Sequence, residues 1–190
     1  MNKSSLLLTL VSFSSLLAGI GLFYLSAPNP EISSTELFST TQEIPHEFSL
    51  ETVPLTDLDG NQKLLGNWRQ PVLVVNFWAP WCAPCRKEIP ALIALQNEFR
   101  EQVQIIGLAL DGEESVREFE LEYGMNYPSF LVGNQISMYN AAFTNNIGSL
   151  PFTAIIDQQR KIHYTHTGEA TLEQLRDHIT PLLLWSPETA

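Results

Sequence analysis

The feature that most constrains this chain is a pair of cysteines placed just after a run of apolar residues. The run Val72–Trp78 (VLVVNFW) is rich in β-branched and aromatic residues, which is typical of a central strand buried on both faces. The cysteines follow in the segment WCAPC at 81–85, and residues 83–101 are predicted to form a helix. Because Cys82 and Cys85 are the only cysteines, a fold stapled by several disulfides and a zinc site of four cysteines are excluded.

The position of Cys82 at the amino end of a predicted helix indicates a reactive thiol. Free amide groups and the positive end of the helix dipole stabilise an anion there, so we expect the pKa of the Cys82 thiol to lie below the ordinary value of about 8.5. We expect Cys82 to attack a substrate disulfide and Cys85, within reach inside the helix, to resolve the mixed disulfide. A structural disulfide and a zinc site completed by histidines are alternatives, although the histidines lack zinc-finger spacing.

The rest of the pattern alternates strands with helices, which favours an α/β fold. Strands are predicted at 48–55, 62–65, 103–110, 129–132, 152–157 and 162–166. Helices are predicted at 115–123, 136–143 and 171–184, and the patterns SVRE at 115–118 and TLEQ at 171–174 indicate capping boxes at the start of two of them. The turn signal DGN at 59–61 and a turn at 158–160 predict hairpins, so the sheet is expected to be mixed.

The amino-terminal segment is predicted to place the chain at a membrane. Residues 6–25 carry no charge, and about twenty mostly apolar residues make a helix long enough to cross a bilayer. A cleaved signal, whose apolar region is usually shorter, is the alternative for residues 1–26. Lys3 favours an amino terminus on the inside, so the catalytic domain is expected in the periplasm or an equivalent extracytoplasmic space, anchored to the inner membrane by this one helix.

Three further segments complete the predicted organisation. Residues 27–45 are polar and proline-containing and are predicted to form a flexible tether, residues 46–184 form the folded domain, and residues 185–190 form a tail. The chain of 190 residues has 10 basic and 21 acidic side chains and a net charge of −11. Because a nucleic-acid-binding protein needs a basic face for phosphates, this balance argues against nucleic-acid partners.

The segment VVNFWAPWCAPCRKEIPAL resembles the active-site signature of thioredoxin-fold proteins of the TlpA/ResA type, which are membrane-anchored thiol–disulfide oxidoreductases of bacteria. The resemblance covers roughly residues 46–184. It implies a thioredoxin-like fold, with a central mixed sheet, helices on both faces, an N-terminal β-hairpin extension and a β-α insert beginning near 105–111. Residues 148–157 (GSLPFTAIID) resemble the family loop that carries a cis-proline, so Leu150–Pro151 is expected to be cis, with the backbone before Pro151 pairing with substrate as an added strand.

Two positions near the cysteines are expected to tune the chemistry. Where plain thioredoxins have a buried aspartate, this chain has Asn76, which cannot accept a proton at ordinary pH. In ResA-like proteins a glutamate at the place of Glu88 is implicated in proton handling. If it is half buried, its raised pKa would let it take the proton of Cys85. The alternative is a solvated acid paired with Arg86 or Lys87.

The aromatic residues beside the cysteines are predicted to have different roles. Trp78 and Trp68 are expected in the core, whereas Trp81 is expected as an exposed platform that contacts substrate together with Leu150 and Pro151.

The resemblance favours a reductase of protein disulfides that needs no cofactor or metal beyond the redox-active Cys82–Cys85 pair. Its implied partners are protein disulfides, such as those of apocytochrome c, and a transmembrane electron donor. An oxidase or isomerase would share the motif. A copper-delivery protein on the same fold would use C-x3-C and need His163 or His166 near Cys82. A peroxidase would need a threonine at Ala79.

Overall fold

The computed structural model describes residues 49–184. The predicted anchor (1–26), tether (27–45) and tail (185–190) lie outside the described residues, as do residues 46–48. Among residues 49–184, no helix is long and apolar enough to cross a membrane.

Seven strands form a single mixed sheet in the described part of the chain. They are β1 (Pro54–Asp57), β2 (Gln62–Leu64), β3 (Val72–Trp78), β4 (Val103–Ala109), β5 (Ser129–Leu131), β6 (Phe152–Ile156) and β7 (Ile162–Thr167). The spatial order is β2-β1-β5-β4-β3-β6-β7. The β3–β4 and β4–β5 pairs are parallel, and the other pairs are antiparallel. The predicted mixed sheet and the amino-terminal hairpin at its edge are therefore confirmed.

Four α-helices cover the two faces of this sheet within residues 49–184: α1 (Ala83–Phe99), α2 (Glu113–Tyr123), α3 (Ile136–Ala142) and α4 (Leu172–Leu184). Leu92 of α1 and Ile179 of α4 share one apolar cluster with Val74 of β3. Tyr139 of α3 shares a different cluster with Val75, which points to the opposite face of the same strand. The helices thus lie on both faces, as the resemblance implies.

The first hairpin forms where the sequence predicts it, but its first strand is shorter. Gly60 sits in the turn with φ +81°, a conformation that glycine adopts without steric cost. The strand was expected from residue 48, and this is wrong: residues Leu50–Thr52 form a 3-10 turn, and β1 begins only at Pro54. The side chain of Ser49 accepts a hydrogen bond from the amide of Glu51. A serine of this kind offers the backbone a local partner in place of a strand neighbour, which explains the late start.

The two predicted capping boxes have different outcomes. At α4 the box is confirmed, because the Gln174 amide donates to Thr171 Oγ1 and the Thr171 amide donates to Gln174 Oε1. At α2 the prediction is wrong, since the helix begins at Glu113 and Ser115 lies inside it. The hydroxyl of Ser115 donates instead to the carboxylate of Asp111, just outside the helix.

The topology brings two distant segments to one edge of the sheet. β3 is buried at every position and leads directly into the cysteines and α1. Because β6 runs antiparallel to β3, its first residue, Phe152, lies opposite Phe77 near the end of β3. The loop that precedes Phe152 is therefore placed beside the cysteines.

Candidate active site

The two cysteines form a disulfide across the first turn of α1. Cys82 is the N-cap residue of the helix, and the Cα atoms of Cys82 and Cys85 are 5.3 Å apart. The amide of Cys85 donates a hydrogen bond of 3.3 Å to Cys82 Sγ. Pro84 fits this turn because amides there have no partner within the helix. In the reduced protein the same amide would favour a thiolate on Cys82 over a thiol.

The two cysteines differ in exposure to solvent. Cys82 keeps 6% of its surface exposed, whereas Cys85 is fully buried. Cys82 is therefore the cysteine that is more open to an incoming molecule.

The loop before β6 forms the second wall of the site. The Leu150–Pro151 bond is cis, as the resemblance implies. Leu150 packs against the apolar cluster that contains both cysteines, and the carbonyl of Pro151 accepts a hydrogen bond from the Gly168 amide. Asn145 is buried and fixes the loop by bonding both the amide and the carbonyl of Ser149. No sequence pattern indicates this role for Asn145, because its neighbours predict only a polar turn.

The tryptophans lie as predicted. Trp81, next to Cys82, exposes 67% of its surface, while Trp78 is fully buried and contacts the ring of Phe119. Trp68 packs edge-on against Phe130. The large exposed face of Trp81 beside the accessible sulfur is suited to contact a substrate chain.

Glu88 is buried rather than solvated. Only 1% of its surface is exposed. Its Oε1 accepts a hydrogen bond of 2.7 Å from Asn76 Nδ2, and its Oε2 accepts one of 3.0 Å from the Ala170 amide. Arg86, one of the two cations offered as its partner, instead donates to the hydroxyl of Tyr123.

Burial is the main cause of a raised pKa at Glu88. It raises the pKa of the carboxyl from 4.5 to about 7, against the hydrogen bonds from Ala170 and Asn76, which lower it. The negative charge of Glu169 raises it further. Glu88 is therefore an acid whose protonation changes near neutral pH, as a proton acceptor for a thiol requires.

Residues far along the chain complete this site, and sequence reasoning missed them. Thr153 Oγ1 accepts a hydrogen bond of 3.1 Å from Asn76 Nδ2, and the two residues are Cα partners in β6 and β3. The only signal in the sequence is that Thr153 is the polar residue of an otherwise apolar strand, FTAII. Ala170 acts through its backbone, which no side-chain pattern reveals.

Asn76 lies in a cross-strand row of three polar residues and one glycine on the face covered by α1. The row runs from Ser129 through Gly107 and Asn76 to Thr153. A Cβ at Gly107 would lie 2.8 Å from Trp78 Nε1, so only glycine fits there. Within residues 49–184, four buried polar side-chain atoms have no hydrogen-bond partner: Asn76 Oδ1, Trp78 Nε1, Tyr127 OH and Ser129 Oγ. Two of these residues belong to the row, Trp78 lies on β3, and Tyr127 precedes β5.

Of the two histidines named for the copper alternative, His166 is engaged by neighbouring polar groups. The ring nitrogens of His166 face the hydroxyl of Tyr164 and the carbonyl of Glu169. Tyr164 stacks on His178 with a centroid distance of 3.5 Å. Among residues 49–184, no group of three or more His, Cys, Asp or Glu side chains is arranged to hold a metal ion.

Comparison with known proteins agrees with this geometry. A family model described as the AhpC/TSA family matches residues 41–165. The thiol-disulfide oxidoreductase ResA of Geobacillus kaustophilus is 32% identical over 127 residues, which cover 66% of this chain and 71% of the relative. The thioredoxin-like protein YneN of Bacillus subtilis is 31% identical over 142 residues, which cover 73% and 77% of the two chains.

A solved structure supports the same assignment. The crystal structure of a thioredoxin-related protein from Neisseria meningitidis serogroup B is 30% identical to this chain. It matches with a TM-score of 0.62 over 67% of this chain and 97% of that one. The protein described here therefore belongs to the thioredoxin-like AhpC/TSA family, among relatives named thiol-disulfide oxidoreductases.

Proposed function

We propose that this protein is an extracytoplasmic thiol–disulfide oxidoreductase that reduces disulfides of other proteins through Cys82 and Cys85. The observation that carries the proposal is the redox pair itself: a disulfide across the first turn of α1, with one sulfur accessible and the other buried. The cis Pro151 loop and the exposed ring of Trp81 flank that pair and supply a surface for a substrate chain.

The reaction consists of two exchanges that balance in atoms and electrons. In the reduced enzyme the Cys82 thiolate attacks one sulfur of a substrate disulfide, the substrate S–S bond breaks, and a mixed disulfide forms while the leaving sulfur takes a proton. Cys85 then loses its proton and attacks Cys82 Sγ, which releases the second substrate thiolate. Two electrons pass to the substrate, and the enzyme ends as the Cys82–Cys85 disulfide.

Glu88 is the proposed acceptor of the Cys85 proton. It lies one helical turn beyond Cys85 on α1, is buried, and has a pKa raised to about 7. A carboxylate of this acidity can take a proton from a buried thiol and return it to solvent at neutral pH. The Cys85 thiolate would thus form only as the second exchange begins.

The direction of electron flow and the location rest on the sequence. The uncharged residues 6–25, with Lys3 before them, support an inner-membrane anchor with the catalytic domain outside the cytoplasm. A chain held there needs an electron donor that delivers dithiol equivalents across the membrane. The cysteine pair of an apocytochrome c is the proposed substrate class, and the reaction uses no cofactor or metal beyond the cysteine pair.

Trapping the reaction intermediate tests the exchange mechanism. In the Cys85→Ser variant the second exchange is blocked, so we expect substrate proteins to stay joined to Cys82 and to be released by dithiothreitol. The matched control is Cys82→Ser, in which the remaining sulfur is buried and no adduct should form. Equal adducts in both variants, or none in either, would contradict the mechanism, as would faster oxidation of Cys82 by peroxide than by a protein disulfide.

The reduction potential tests the direction. A reductase needs a disulfide as hard to reduce as that of thioredoxin, roughly −270 mV, whereas a strong oxidase has a potential of roughly −120 mV. Equilibration of the full chain with glutathione mixtures, read by alkylation of free thiols, gives the value. A potential close to that of the oxidase would refute the proposed direction while leaving the exchange chemistry intact.

A further inference from the structure

The carboxylate of Glu88 projects from α1 but is held by two other elements. Asn76 of β3 donates to Oε1, and the backbone amide of Ala170, just before α4, donates to Oε2. Both contacts are N–H donors, which favour an ionised carboxylate over a protonated one. Within residues 49–184, Asn76 is the only side chain that donates a hydrogen bond to Glu88.

The orientation of the Asn76 amide is itself fixed by a neighbour. Nδ2 carries two hydrogens, and one bonds Glu88 Oε1 at 2.7 Å while the other bonds Thr153 Oγ1 at 3.1 Å. The oxygen of the same amide, Oδ1, is buried and has no partner among the described residues. Hydrogen bonds therefore fix the nitrogen of the Asn76 amide, and the bond to Thr153 sets its orientation.

We propose that Asn76, oriented by Thr153, is the positioning residue that keeps the Glu88 carboxyl in place and available to accept a proton. This inference rests on the proposed proton exchange between Glu88 and Cys85, and it assigns a role to the asparagine that stands where plain thioredoxins carry an aspartate. The buried carboxylate is thus supplied by the helix, and the strand supplies a neutral donor that stabilises it.

The other charged and titratable groups around Glu88 do not replace this donor. Glu169 raises the pKa of Glu88 through its negative charge, and the buried hydroxyl of Tyr127 has no hydrogen-bond partner within residues 49–184. On α1 itself, Arg86 is turned toward Tyr123. Loss of the amide donor would leave burial opposed by the Ala170 amide alone, so the carboxyl would hold its proton to higher pH.

The test is the titration of the Glu88 carboxyl in the full-length oxidised protein, in which neither cysteine titrates. The ¹³C resonance of the Glu88 side-chain carboxyl, assigned with Glu88→Gln, gives the midpoint directly. We expect Asn76→Leu to move the midpoint to higher pH by about one unit, a tenfold rise in proton affinity. Thr153→Val should move the midpoint in the same direction by a smaller amount, because the Asn76 amide still donates to Glu88 but no longer donates to Thr153.

Two substitutions in the same cross-strand row serve as matched controls. Thr153→Ser keeps the hydroxyl that accepts from Asn76, and Ser129→Ala removes a buried hydroxyl that makes no bond to Asn76 or Glu88. Both should leave the midpoint unchanged. The pH profile of disulfide exchange should move with the carboxyl midpoint in Asn76→Leu, a shift that a purely structural role of Asn76 would not produce.

The outcomes separate this inference from the proposed function. An unchanged or lowered midpoint in Asn76→Leu overturns the role of Asn76, and if that variant does not fold, an unchanged midpoint in Thr153→Val overturns it. A shift in Asn76→Leu without one in Thr153→Val overturns only the anchoring by Thr153. If Glu88→Gln exchanges disulfides with an unaltered rate and pH profile, the catalytic role of Glu88 fails even though its carboxyl is positioned as described.

Discussion

The two faces of β3 differ in the polarity of their side chains. On one face, Leu73, Val75 and Phe77 point into a wholly apolar cluster, where Phe77 meets the edges of two other aromatic rings. On the other face, Val72 and Val74 are just as apolar, but the third position is Asn76, which holds the buried acid Glu88. One face of β3 is therefore apolar along the strand, whereas the other face becomes polar at Asn76, two residues before the strand ends.

The difference shows where this fold gives up stability for chemistry. Each buried polar atom without a partner costs about 1–3 kcal/mol, and the four such atoms found within residues 49–184 belong to the polar face and its surroundings. Burying an ionisable carboxyl adds a further cost. These costs lie on the side of the sheet that carries α1 and the redox pair, which is the distribution expected if the polar face serves proton transfer.

The largest expected effect is on the apolar face. Phe77→Ala removes a fully buried ring that contacts Phe143 and Phe152, and we expect the free energy of unfolding to fall by about 3–5 kcal/mol. Urea unfolding of the oxidised protein measures this. A loss below about 1 kcal/mol would mean that this face is not the main source of stability, and the contrast between the faces would fail.

The next effect is the pH dependence contributed by Glu88. Its pKa is about 7 in the folded protein and has the ordinary value of 4.5 in the unfolded chain, so the folded state binds the proton more tightly. The stabilisation linked to this proton is complete below pH 4.5 and is lost as pH rises through 7, a total of about 3 kcal/mol.

The Glu88→Gln variant isolates that contribution. Subtracting its unfolding free energy from that of the wild type at pH 5 and pH 8 cancels the other titrating groups, and the difference should become less favourable to the wild type at pH 8. The same variant should slow disulfide exchange by about 100-fold or more, the usual contribution of a positioned general base. A difference that does not change with pH would show that Glu88 titrates normally in the folded protein.

A smaller effect of opposite sign is expected at Ser129. Its hydroxyl is buried beside Gly107 without a partner among the described residues, so Ser129→Ala should raise the free energy of unfolding by about 1 kcal/mol. Thr153→Ala in the same row is the matched control and should destabilise, because its hydroxyl accepts from Asn76. Destabilisation by Ser129→Ala would indicate a bound partner for the hydroxyl, and the polar face would then cost the fold less stability.

The same contrast explains how much the sequence predicts. The apolar face follows from local pattern, since a short run rich in β-branched and aromatic residues such as Val72–Trp78 is typical of a buried strand, and the hairpins follow from turn residues such as Gly60. The shared helix face of Cys85 and Glu88 follows from their spacing, whereas the role expected for Glu88 comes from the resemblance to ResA-like proteins. These features depend on neighbours in sequence, which a single chain displays.

The polar face could be predicted only in part, because its contacts join residues that are distant in sequence. Asn76 and Thr153 are 77 residues apart, and the bond from Ala170 to Glu88 spans 82. The meeting of Asn76 with Thr153 depends on the β3–β6 register, and that of Ala170 with Glu88 depends on how the helices pack on the sheet; no local pattern fixes either. The two local errors arise from hydrogen bonds to nearby polar groups that the pattern does not show. Near residue 48, Ser49 accepts from the backbone and replaces a strand contact, and Ser115 donates to Asp111 instead of capping the helix.

The smallest expected effect on stability is at the exposed end of the polar face, where Trp81 stands beside Cys82. Because its ring is 67% exposed, Trp81→Ala should change the free energy of unfolding by less than about 0.5 kcal/mol. It should nevertheless lower kcat/KM for a protein disulfide about threefold and leave kcat/KM for a small-molecule disulfide unchanged, because only a protein substrate is large enough to contact the Trp81 ring. Leu121→Ala, an exposed apolar residue on α2, is the matched control and should change neither rate. Equal losses with both substrates would mean that Trp81 supports the sulfur chemistry, and the docking role would belong to the Leu150–Pro151 loop alone.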